Sequence, residues 1–390
     1  MLTLIATVLV AQTTLPVLHA KGEDLVDPSG KVVTLRGVNL GGWLVEEIWM
    51  TPVDGKPPAG GSFKEVKDHA SLWGVVEQRL GHDAMLRVRE AWRDNWVTEA
   101  DFSRIKALGL NHVRIPFLDS LVDEPGGIDR LKKAVAWAKQ NGLYVVLDMH
   151  GAPGGQSGEH HTGEEGRNRL WFDVENISKM EADWQKLARE FRNEPTVAMY
   201  DLMNEPTGVP NTAILALVYN RIIQAVRKVD PDKPVLIDDA YRGFENTPHA
   251  NVAGWTQVVY SLHRYRFDAK KPEDHTEGLQ RELPKIKELQ GYRNAPIYIG
   301  EFNLEPQGNP KVMREYVKGL DAAGFSWALW TFKTAAPGGP MGQWGIYSNP
   351  NPPAPLNPFA DSEEQMIAKL RGVRTENLKM APGLENAFRR

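Results

Sequence analysis

Short apolar runs alternate with amphipathic segments along most of this chain. The runs are rich in Val, Ile and Leu, as buried parallel strands are, and the segments between them repeat apolar residues every three or four positions, as helices do. One helix is predicted to begin at Thr98, which matches a capping box with Asp101, and to end at Gly109. We predict eight strands: Leu35–Leu40, His112–Phe117, Leu143–Met149, a strand from Val197 that stops by Pro206, Val235–Asp238, Trp255–Leu262, Pro296–Gly300 and Phe325–Phe332.

The order of these elements predicts an α/β fold, an eight-stranded parallel β/α (TIM) barrel. Each of the middle strands is followed by a predicted helix, which is the pattern of that barrel. A doubly wound sheet is the alternative, but it uses fewer strands and needs a phosphate loop after the first, and Gly41 and Gly42 make no such motif. The other predicted helices lie around Ser71–Leu80, Asp83–Trp96, Leu131–Ala138, Ile177–Phe191, Asn211–Ala225, Leu279–Leu289, Lys311–Leu320 and Ser362–Leu370.

Two additions to the barrel are predicted. Leu25–Val33 has the turn residues of an N-terminal β-hairpin, which we expect to plug one end of the barrel. The connection from the first strand to about Thr98 is long and carries its own helices, so we expect it to decorate the active site. We assign residues 21–372 to one catalytic barrel and residues 373–390 to a polar C-terminal tail.

Residues 1–20 resemble a secretory signal peptide. Their apolar stretch, Leu2–Val10, is too short to span a bilayer, and we expect no membrane partner. The chain is therefore predicted to be secreted or periplasmic; a misassigned start codon would instead make it cytoplasmic.

Composition narrows the function further. The net charge of -4 without a Lys/Arg run gives no sign of a nucleic-acid partner. The absence of Cys excludes disulfides, thiolate chemistry and Cys-ligated zinc. The 12 Trp supply core packing and also rings on which sugars stack. We expect a monomer that needs no cofactor.

Polar residues stand where six of the predicted strands end. In a parallel barrel these ends form one face, where active sites lie. Singly, each residue has a structural explanation, such as an interior Arg paired with a carboxylate, but six compatible strand ends together predict a site. Two look-alikes, Glu305 and the earlier Asn-Glu-Pro at residues 193–195, are predicted to lie outside it. The predicted site residues are Arg114, His150, Asn204, Glu205, His263, Tyr265, Glu301 and Trp330.

Glu205 and Glu301, on different strands, suit the cleavage of a glycosidic bond. One carboxyl group must protonate the leaving oxygen, and the other must be ionised to attack the anomeric carbon or stabilise its charge. We expect Arg114 and Tyr265 to lower the pKa of Glu301. Asn204 is expected to hold a sugar hydroxyl. The sequence alone leaves retaining and inverting reactions open, because they differ in the separation of the two carboxyl groups.

The chain from about Leu25 to Phe332 resembles glycoside hydrolase family 5, the cellulase-type retaining β-glycosidases on β/α barrels. The resemblance rests on Asn-Glu-Pro at the fourth strand, Ile-Gly-Glu at the seventh, and the eight site positions in the same order. It implies that Glu205 is the acid/base and Glu301 the nucleophile of a double displacement through a covalent glycosyl-enzyme. It also implies a β-glucan or related β-linked oligosaccharide as substrate.

Two segments, Arg36–Pro52 and His150–Gly158, are similar to the exo-β-1,3-glucanase branch of that family. In this branch the acidic residue that matches Glu47 binds the terminal glucose, so Glu47 joins the predicted substrate-binding residues. At Glu159 and His160 the chain departs from the Phe-Asp of that branch, whose Asp helps to hold the terminal sugar. Linkage, sugar identity and exo or endo action therefore stay open.

Three other functions are weaker alternatives. The segment Glu159–Glu165, with two His and three Glu, suggests a metal-dependent barrel hydrolase, but its spacing matches no zinc motif, and we interpret it as a mobile rim loop without a metal. A Schiff-base aldolase needs a lysine at an inner strand end, and the candidate, Lys333, falls beyond Trp330. A non-catalytic carbohydrate-binding barrel is the third, but such proteins usually lack one of the two carboxylates.

Overall fold

The computed structural model describes residues 14–244, 247–335, 344–349 and 354–389. A closed barrel of eight parallel strands forms its centre, which confirms the predicted fold class and places all eight predicted strands. In chain order the strands are β1 (His19–Lys21), β2 (Asp24–Val26), β3 (Arg36–Asn39), β4 (His112–Leu118), β5 (Tyr144–Gly151), β6 (Val197–Asp201), β7 (Val235–Asp238), β8 (Val258–Arg264), β9 (Ile297–Phe302), β10 (Ser326–Leu329), β11 (Tyr347–Ser348) and β12 (Lys379–Met380). Strands β3 to β10 close the barrel, with β10 paired to β3.

The helices surround this barrel. They are α1 (His69–Leu80), α2 (His82–Trp96), α3 (Glu99–Ala107), α4 (Ser120–Asp123), α5 (Gly127–Gln140), α6 (Val174–Phe191), α7 (Thr212–Arg227), α8 (Glu273–Arg293), α9 (Pro310–Ala322) and α10 (Glu363–Arg371). The predicted capping box of Thr98 with Asp101 starts α3, and α1 and α2 lie in the long first connection as expected. The expectation that every middle strand is followed by a helix is wrong at β7, because the described residues between β7 and β8 contain none. No helix in the described part of the chain is long and apolar enough to cross a membrane.

The N-terminal hairpin closes one end of the barrel. Its paired strands are β1 and β2, so it starts before the predicted Leu25–Val33, and a second turn brings Val32 back to Val26. Leu18 and Leu25 are buried in an apolar cluster with inward residues of the barrel strands. Residues 1–13 of the predicted leader lie outside the described residues, and the leader stays a prediction. Its last residues nevertheless belong to the hairpin.

The segment predicted as a polar tail packs against the rest of the fold. Val373, Leu384 and Phe388 are buried, and the carbonyl of Phe388 accepts a hydrogen bond of 2.9 Å from Arg36 Nη2. The many charged residues of this segment hid its few apolar anchors. Residues 373–389 are therefore structured parts of the barrel domain.

The barrel interior changes character along its axis. Beside the hairpin it is filled by apolar and aromatic side chains such as Val146, Met199 and Tyr298. Two positions further along the strands, on the same inward face, come Asp148 and Asp201. A charged layer therefore replaces the apolar core toward the carboxyl ends of the strands, where the site lies.

Candidate active site

The predicted strand-end residues surround one cavity of about 540 Å³ at the carboxyl end of the barrel. Seven of the nine predicted site residues line it: Glu47, His150, Asn204, Glu205, Tyr265, Glu301 and Trp330. The other two, Arg114 and His263, are buried directly behind the glutamates and contact them. The structure therefore brings the whole predicted set together.

Glu205 and Glu301 face each other across His263. One carboxylate oxygen of each glutamate and one ring nitrogen of His263 all lie within 4.8 Å of one another. His263 Nδ1 is 2.7 Å from Glu205 Oε1 and 3.5 Å from Glu301 Oε2. Carboxyl groups about 5 Å apart are typical of retaining glycosidases, whereas inverting enzymes need about 6.5 to 9.5 Å to admit a water. The spacing that the sequence left open matches a retaining reaction.

Arg114 organises the base of the site. Its guanidinium donates to Glu301 Oε1 at 2.8 Å, to Asp201 Oδ2 at 2.8 Å and to Asn204 Oδ1 at 2.8 Å, and it lies 3.2 Å from Asp148 Oδ2. A fully buried cation needs such partners to offset its desolvation. Arg114 thus fixes the positions of groups from three strands, namely β5, β9, and β6 with the residues directly after it.

The second oxygen of Glu301 is held from the opposite side. The Tyr265 hydroxyl donates to Glu301 Oε2 at 2.7 Å. Both oxygens of Glu301 therefore accept a hydrogen bond, one from a cation and one from a phenol. This arrangement holds the carboxyl group in one orientation toward the cavity.

The surroundings of Glu205 differ from those of Glu301. Glu205 Oε1 accepts hydrogen bonds from Tyr241 and lies beside His263, whereas Oε2 is 3.6 Å from His161 Nε2. The residue has a φ of +36°, an uncommon backbone region for a non-glycine residue. Oε2 is the oxygen left for a group in the cavity.

The electrostatics of the pair differ from the prediction for Glu301. Burial raises the pKa of Glu301 more than His263 and Arg114 lower it, so the predicted lowering is wrong. Burial also acts on Glu205, but the hydrogen bonds and charge of His263 outweigh it and hold the pKa of Glu205 below its usual range. Burial opposes the charge on His263, yet Glu301, Asp238 and Glu205 raise the pKa of His263 to about 10. The imidazolium therefore keeps a proton between the two carboxyl groups.

Glu47 lies in the cavity wall beside Trp49, His150 and His160. Its Oε2 accepts a hydrogen bond of 2.9 Å from Trp49 Nε1 and lies 3.3 Å from His160 Nε2, and its Oε1 is 4.0 Å from His150 Nε2. His150 stacks on the ring of Trp330, with ring centres 5.3 Å apart. Glu47 and Trp330 therefore offer this cavity a carboxylate for hydroxyl groups and an aromatic surface for a sugar face.

The interpretation of Glu159–Glu165 as a rim loop is wrong for part of the segment. Glu159, His160 and His161 line the cavity, and the last of these contacts Glu205. Glu164 instead pairs with Arg167 and Glu165 with Lys67, so the five residues do not converge on one point. Among the described residues, the group with metal-ligand spacing is Glu205, His263 and Glu301.

The look-alike residues lie elsewhere. Glu194 of the earlier Asn-Glu-Pro accepts from Lys139 Nζ at 3.0 Å, before β6 begins. Glu305 and Lys333 are not among the residues that line the cavity. Lys333 Nζ donates to the carbonyl of Val373 at 2.7 Å. A Schiff-base role for Lys333 has no support in this placement.

Several site residues escaped prediction. Asn39 ends β3 and Asp238 ends β7, so the strand-end criterion, applied to these two strands as well, would have found them. Tyr241 follows β7 by three residues in the connection that lacks a helix. The aromatic rim residues Phe267 and Trp344 gave no local signal, because nothing in a sequence shows which loops meet over a barrel. Together with Trp49, Tyr241, Tyr265 and Trp330 they give the cavity wall six aromatic side chains.

Comparison with known families and relatives shows which proteins this chain is similar to. The family model described as Cellulase (glycosyl hydrolase family 5) matches residues 77–336. A probable glucan 1,3-beta-glucosidase A of Aspergillus fumigatus is 32% identical over 281 residues, which cover 69% of this chain and 65% of that protein. The protein of the same description from Aspergillus niger is 30% identical over 79% of this chain and 85% of its own length. A beta-xylosidase of Phanerodontia chrysosporium is 27% identical over 81% and 70%.

Solved structures share the fold at lower identity. The rutinosidase from Aspergillus niger superposes with a TM-score of 0.63 at 19% identity, covering 78% of this chain and 90% of that chain. The beta-glucanase SdGluc5_26A from Saccharophagus degradans has a TM-score of 0.55 at 18% identity and covers 95% and 96%. These matches support the barrel architecture.

Proposed function

Because the chain belongs to glycosyl hydrolase family 5, the cellulase family, we propose that it is a retaining β-glycosidase with Glu205 as acid/base and Glu301 as nucleophile. The observation that carries the proposal is the placement of the two carboxyl groups, whose oxygens lie within 4.8 Å across one cavity. Such a gap fits a double displacement and leaves no room for the water that an inverting enzyme places between its carboxylates and the sugar.

In the first step Glu205 donates its proton from Oε2 to the glycosidic oxygen while a carboxylate oxygen of Glu301 bonds to the anomeric carbon. The bond from that carbon to the leaving oxygen breaks, and the leaving group departs as an alcohol. Arg114 and Tyr265 hold Glu301 in the attacking orientation. In the second step Glu205 takes a proton from water, the water oxygen bonds to the anomeric carbon, and Glu301 leaves as a carboxylate.

The two glutamates and His263 titrate as one unit in this scheme. The pKa of Glu301 is raised, mainly by burial, whereas the reaction needs Glu301 ionised and Glu205 protonated. A proton on Glu205 removes the negative charge that opposes ionisation of Glu301, so protonating one member favours ionising the other. The protonated His263 lies 2.7 Å from Glu205 Oε1 and 3.5 Å from Glu301 Oε2, so it contacts both members of the pair.

The proposed substrate is a β-glucoside or β-glucan, with the β-1,3 linkage as the first candidate. Relatives described as glucan 1,3-beta-glucosidases support this choice, although the alignment spans only 65% of the length of the first of them. Glu47 in the cavity wall is proposed to bind hydroxyl groups of the terminal sugar, and Trp330 to support its ring. The relatives described as glucan 1,3-beta-glucosidases support release of single sugars from a chain terminus.

The experiment is a product profile on laminarin, carboxymethylcellulose, mannan and an aryl β-glucoside. Proton NMR of the first product formed should show the β-anomer, and glucose should be the main product of laminarin. Glu205→Gln should lower the rate on laminarin by about 10² to 10⁴-fold. Glu194→Gln is the matched control, because it changes the same tripeptide at the other end of β6 and should retain full activity. An initial α-anomer, or activity lost with a chelator and restored by a metal, would contradict the proposal.

Export and a monomeric state are also proposed. The predicted leader and the similarity to fungal glucan 1,3-beta-glucosidases support a secreted or periplasmic location. Because Leu18 packs in the apolar cluster of the hairpin, we propose that the leader is cleaved before Val17 rather than after Ala20. Amino-terminal sequencing of the protein recovered outside the producing cells tests export. Size-exclusion chromatography with light scattering tests the monomer, for which the expected mass is about that of one 43.7 kDa chain.

A further inference from the structure

Tyr241 touches the acid/base residue from a loop to which no role has been assigned. Its hydroxyl donates to Glu205 Oε1, the same oxygen that lies 2.7 Å from His263 Nδ1. The Tyr241 ring lines the cavity and meets the ring of His263 edge-on at 6.4 Å. Two donors on Oε1 leave Oε2 as the oxygen that can carry a proton toward a substrate.

The loop is built to hold this contact. The backbone N–H of Ala240 donates to Asp238 Oδ1 at 2.8 Å, and that of Tyr241 donates to Asp239 Oδ1 at 2.9 Å. Asp239 Oδ2 accepts from the N–H of Phe244 at 2.9 Å, which closes the turn. Asp238 Oδ2 also lies 3.4 Å from the N–H of Glu205 and 3.4 Å from His263 Nε2. The loop and the acid/base are therefore fixed to the same carboxylate.

Backbone conformation gives a separate indication. Ala240 and Tyr241 have φ of +54° and +66°, and Glu205 has φ of +36°. Left-handed conformations cost non-glycine residues free energy and persist where the surroundings impose them, often at functional sites. Here both partners of one hydrogen bond adopt such conformations. Unfavourable backbone conformations therefore occur on both sides of the Tyr241–Glu205 contact.

We propose that Tyr241 is a positioning residue that fixes the Glu205 carboxyl group with Oε2 directed at the leaving oxygen. This inference rests on the proposed function and adds a residue to it. In the protonated acid, Oε1 accepts from Tyr241 and His263 while Oε2 carries the transferred proton. Without the Tyr241 hydroxyl, Glu205 can rotate, and protonation of the leaving group becomes inefficient.

The test compares substrates whose leaving groups differ in how strongly they need protonation by Glu205. An acidic phenol departs from an aryl β-glucoside as a stable phenolate and needs no proton from the enzyme. The alcohols that depart from alkyl glucosides and oligosaccharides must be protonated by the acid. Tyr241→Phe removes one oxygen from a side chain that is 54% exposed, so the fold should persist. We expect kcat/KM to fall about 10- to 100-fold for poor leaving groups and less than about 3-fold for the most acidic phenol.

The pH profile provides a second readout. The titratable groups that face Glu205 are His263, His161, Tyr241, Glu301, Asp238, Asp148, His150 and Tyr265. The Tyr241 hydrogen bond stabilises the carboxylate form of Glu205. Its removal should raise the pKa of Glu205 and move the basic limb of kcat/KM to higher pH. Tyr292→Phe, an exposed tyrosine that packs on His249, is the matched control and should leave both readouts unchanged.

The outcomes separate the two proposals. A loss that depends on the leaving group, together with the shifted basic limb, supports the role of Tyr241. An equal loss for every leaving group, or an unchanged pH profile, overturns it and leaves Tyr241 as a wall of the cavity. A wild-type protein that hydrolyses no glycoside overturns the proposed function itself, and the role of Tyr241 with it.

Discussion

At the scale of single residues, the site depends on how one buried cation shares its donors. Arg114 is fully buried and faces three carboxylates, Glu301, Asp148 and Asp201. Its charge cannot neutralise all three, and burial raises the pKa of Asp148 to about 7 and also raises that of Asp201. Burial therefore favours the neutral form of both aspartates. The two cavity-facing glutamates lie at the edge of this layer.

Glu301→Gln is expected to abolish turnover while preserving the fold. The amide keeps the shape of the side chain, and its oxygen can still accept from Arg114 while its NH2 group faces the Tyr265 hydroxyl as a donor, but it cannot form a glycosyl ester. We expect kcat on laminarin to fall by roughly 10⁴-fold or more. Incubation of the wild type with a 2-deoxy-2-fluoro β-glucoside, followed by mass spectrometry of peptides, should place the trapped sugar on Glu301.

The matched control for this prediction is Glu305→Gln, a glutamate in the following loop that does not line the cavity. It should retain at least about half of the wild-type activity. A trapped sugar on another residue, or an active Glu301→Gln enzyme, would show that the nucleophile is wrongly assigned.

At the scale of elements, the sequence predicted the barrel strands and the residues at their ends, but it missed site residues that lie in loops. All eight barrel strands were found, and Glu205 and Glu301 were correctly placed in one cavity, because buried parallel strands are continuous apolar runs and their ends are marked by polar residues. Tyr241 was missed because its loop is not a regular element. The raised pKa of Glu301 was missed because burial depends on tertiary structure, and the position of His161 because a glycine-rich segment gives no direction to its side chains.

The last barrel strand and the C-terminal segment are joined through Lys333. Its ammonium group is buried, donates to the carbonyl of Val373 at 2.7 Å and lies over the ring of Trp96 at 4.9 Å. Burial lowers the pKa of Lys333 from 10.5 to about 7. The unfolded chain therefore holds this proton over a range of pH in which the folded chain releases it.

Lys333→Met should consequently change stability in a pH-dependent way. Below about pH 7 both states of the wild type are protonated and the folded state carries the full cost of the buried charge; this cost fades as the pH rises toward 10.5. The Tm of the variant relative to the wild type should thus be higher at pH 6 than at pH 9.5, by about 2 °C or more. Differential scanning calorimetry measures this, with Lys318→Met on the exposed face of α9 as control. A difference that is constant with pH would contradict the expected role of burial.

At the scale of the whole molecule, the two ends of the barrel have different tasks. The carboxyl end holds charged groups close together, which is unfavourable for stability and necessary for chemistry. The opposite end is closed by the hairpin, whose Leu18 and Leu25 pack on inward residues such as Tyr144 and Met199. The hairpin therefore contributes to the stability of a fold whose other end is constrained by function.

Replacement of Leu18 tests this division. Leu18 is 1% exposed and its neighbour Val17 is 37% exposed, so the pair compares a buried and an accessible side chain at adjacent positions. Leu18→Ala should lower the free energy of unfolding by about 2 to 5 kcal/mol, because it leaves a cavity at the plugged end. Val17→Ala should change it by less than about 0.5 kcal/mol. Guanidinium unfolding followed by tryptophan fluorescence measures both values. Both variants should keep wild-type kcat/KM at a temperature well below their Tm, because the hairpin lies at the end of the barrel away from Glu205 and Glu301. Equal free energies of unfolding for the two variants would show that the hairpin does not close the core.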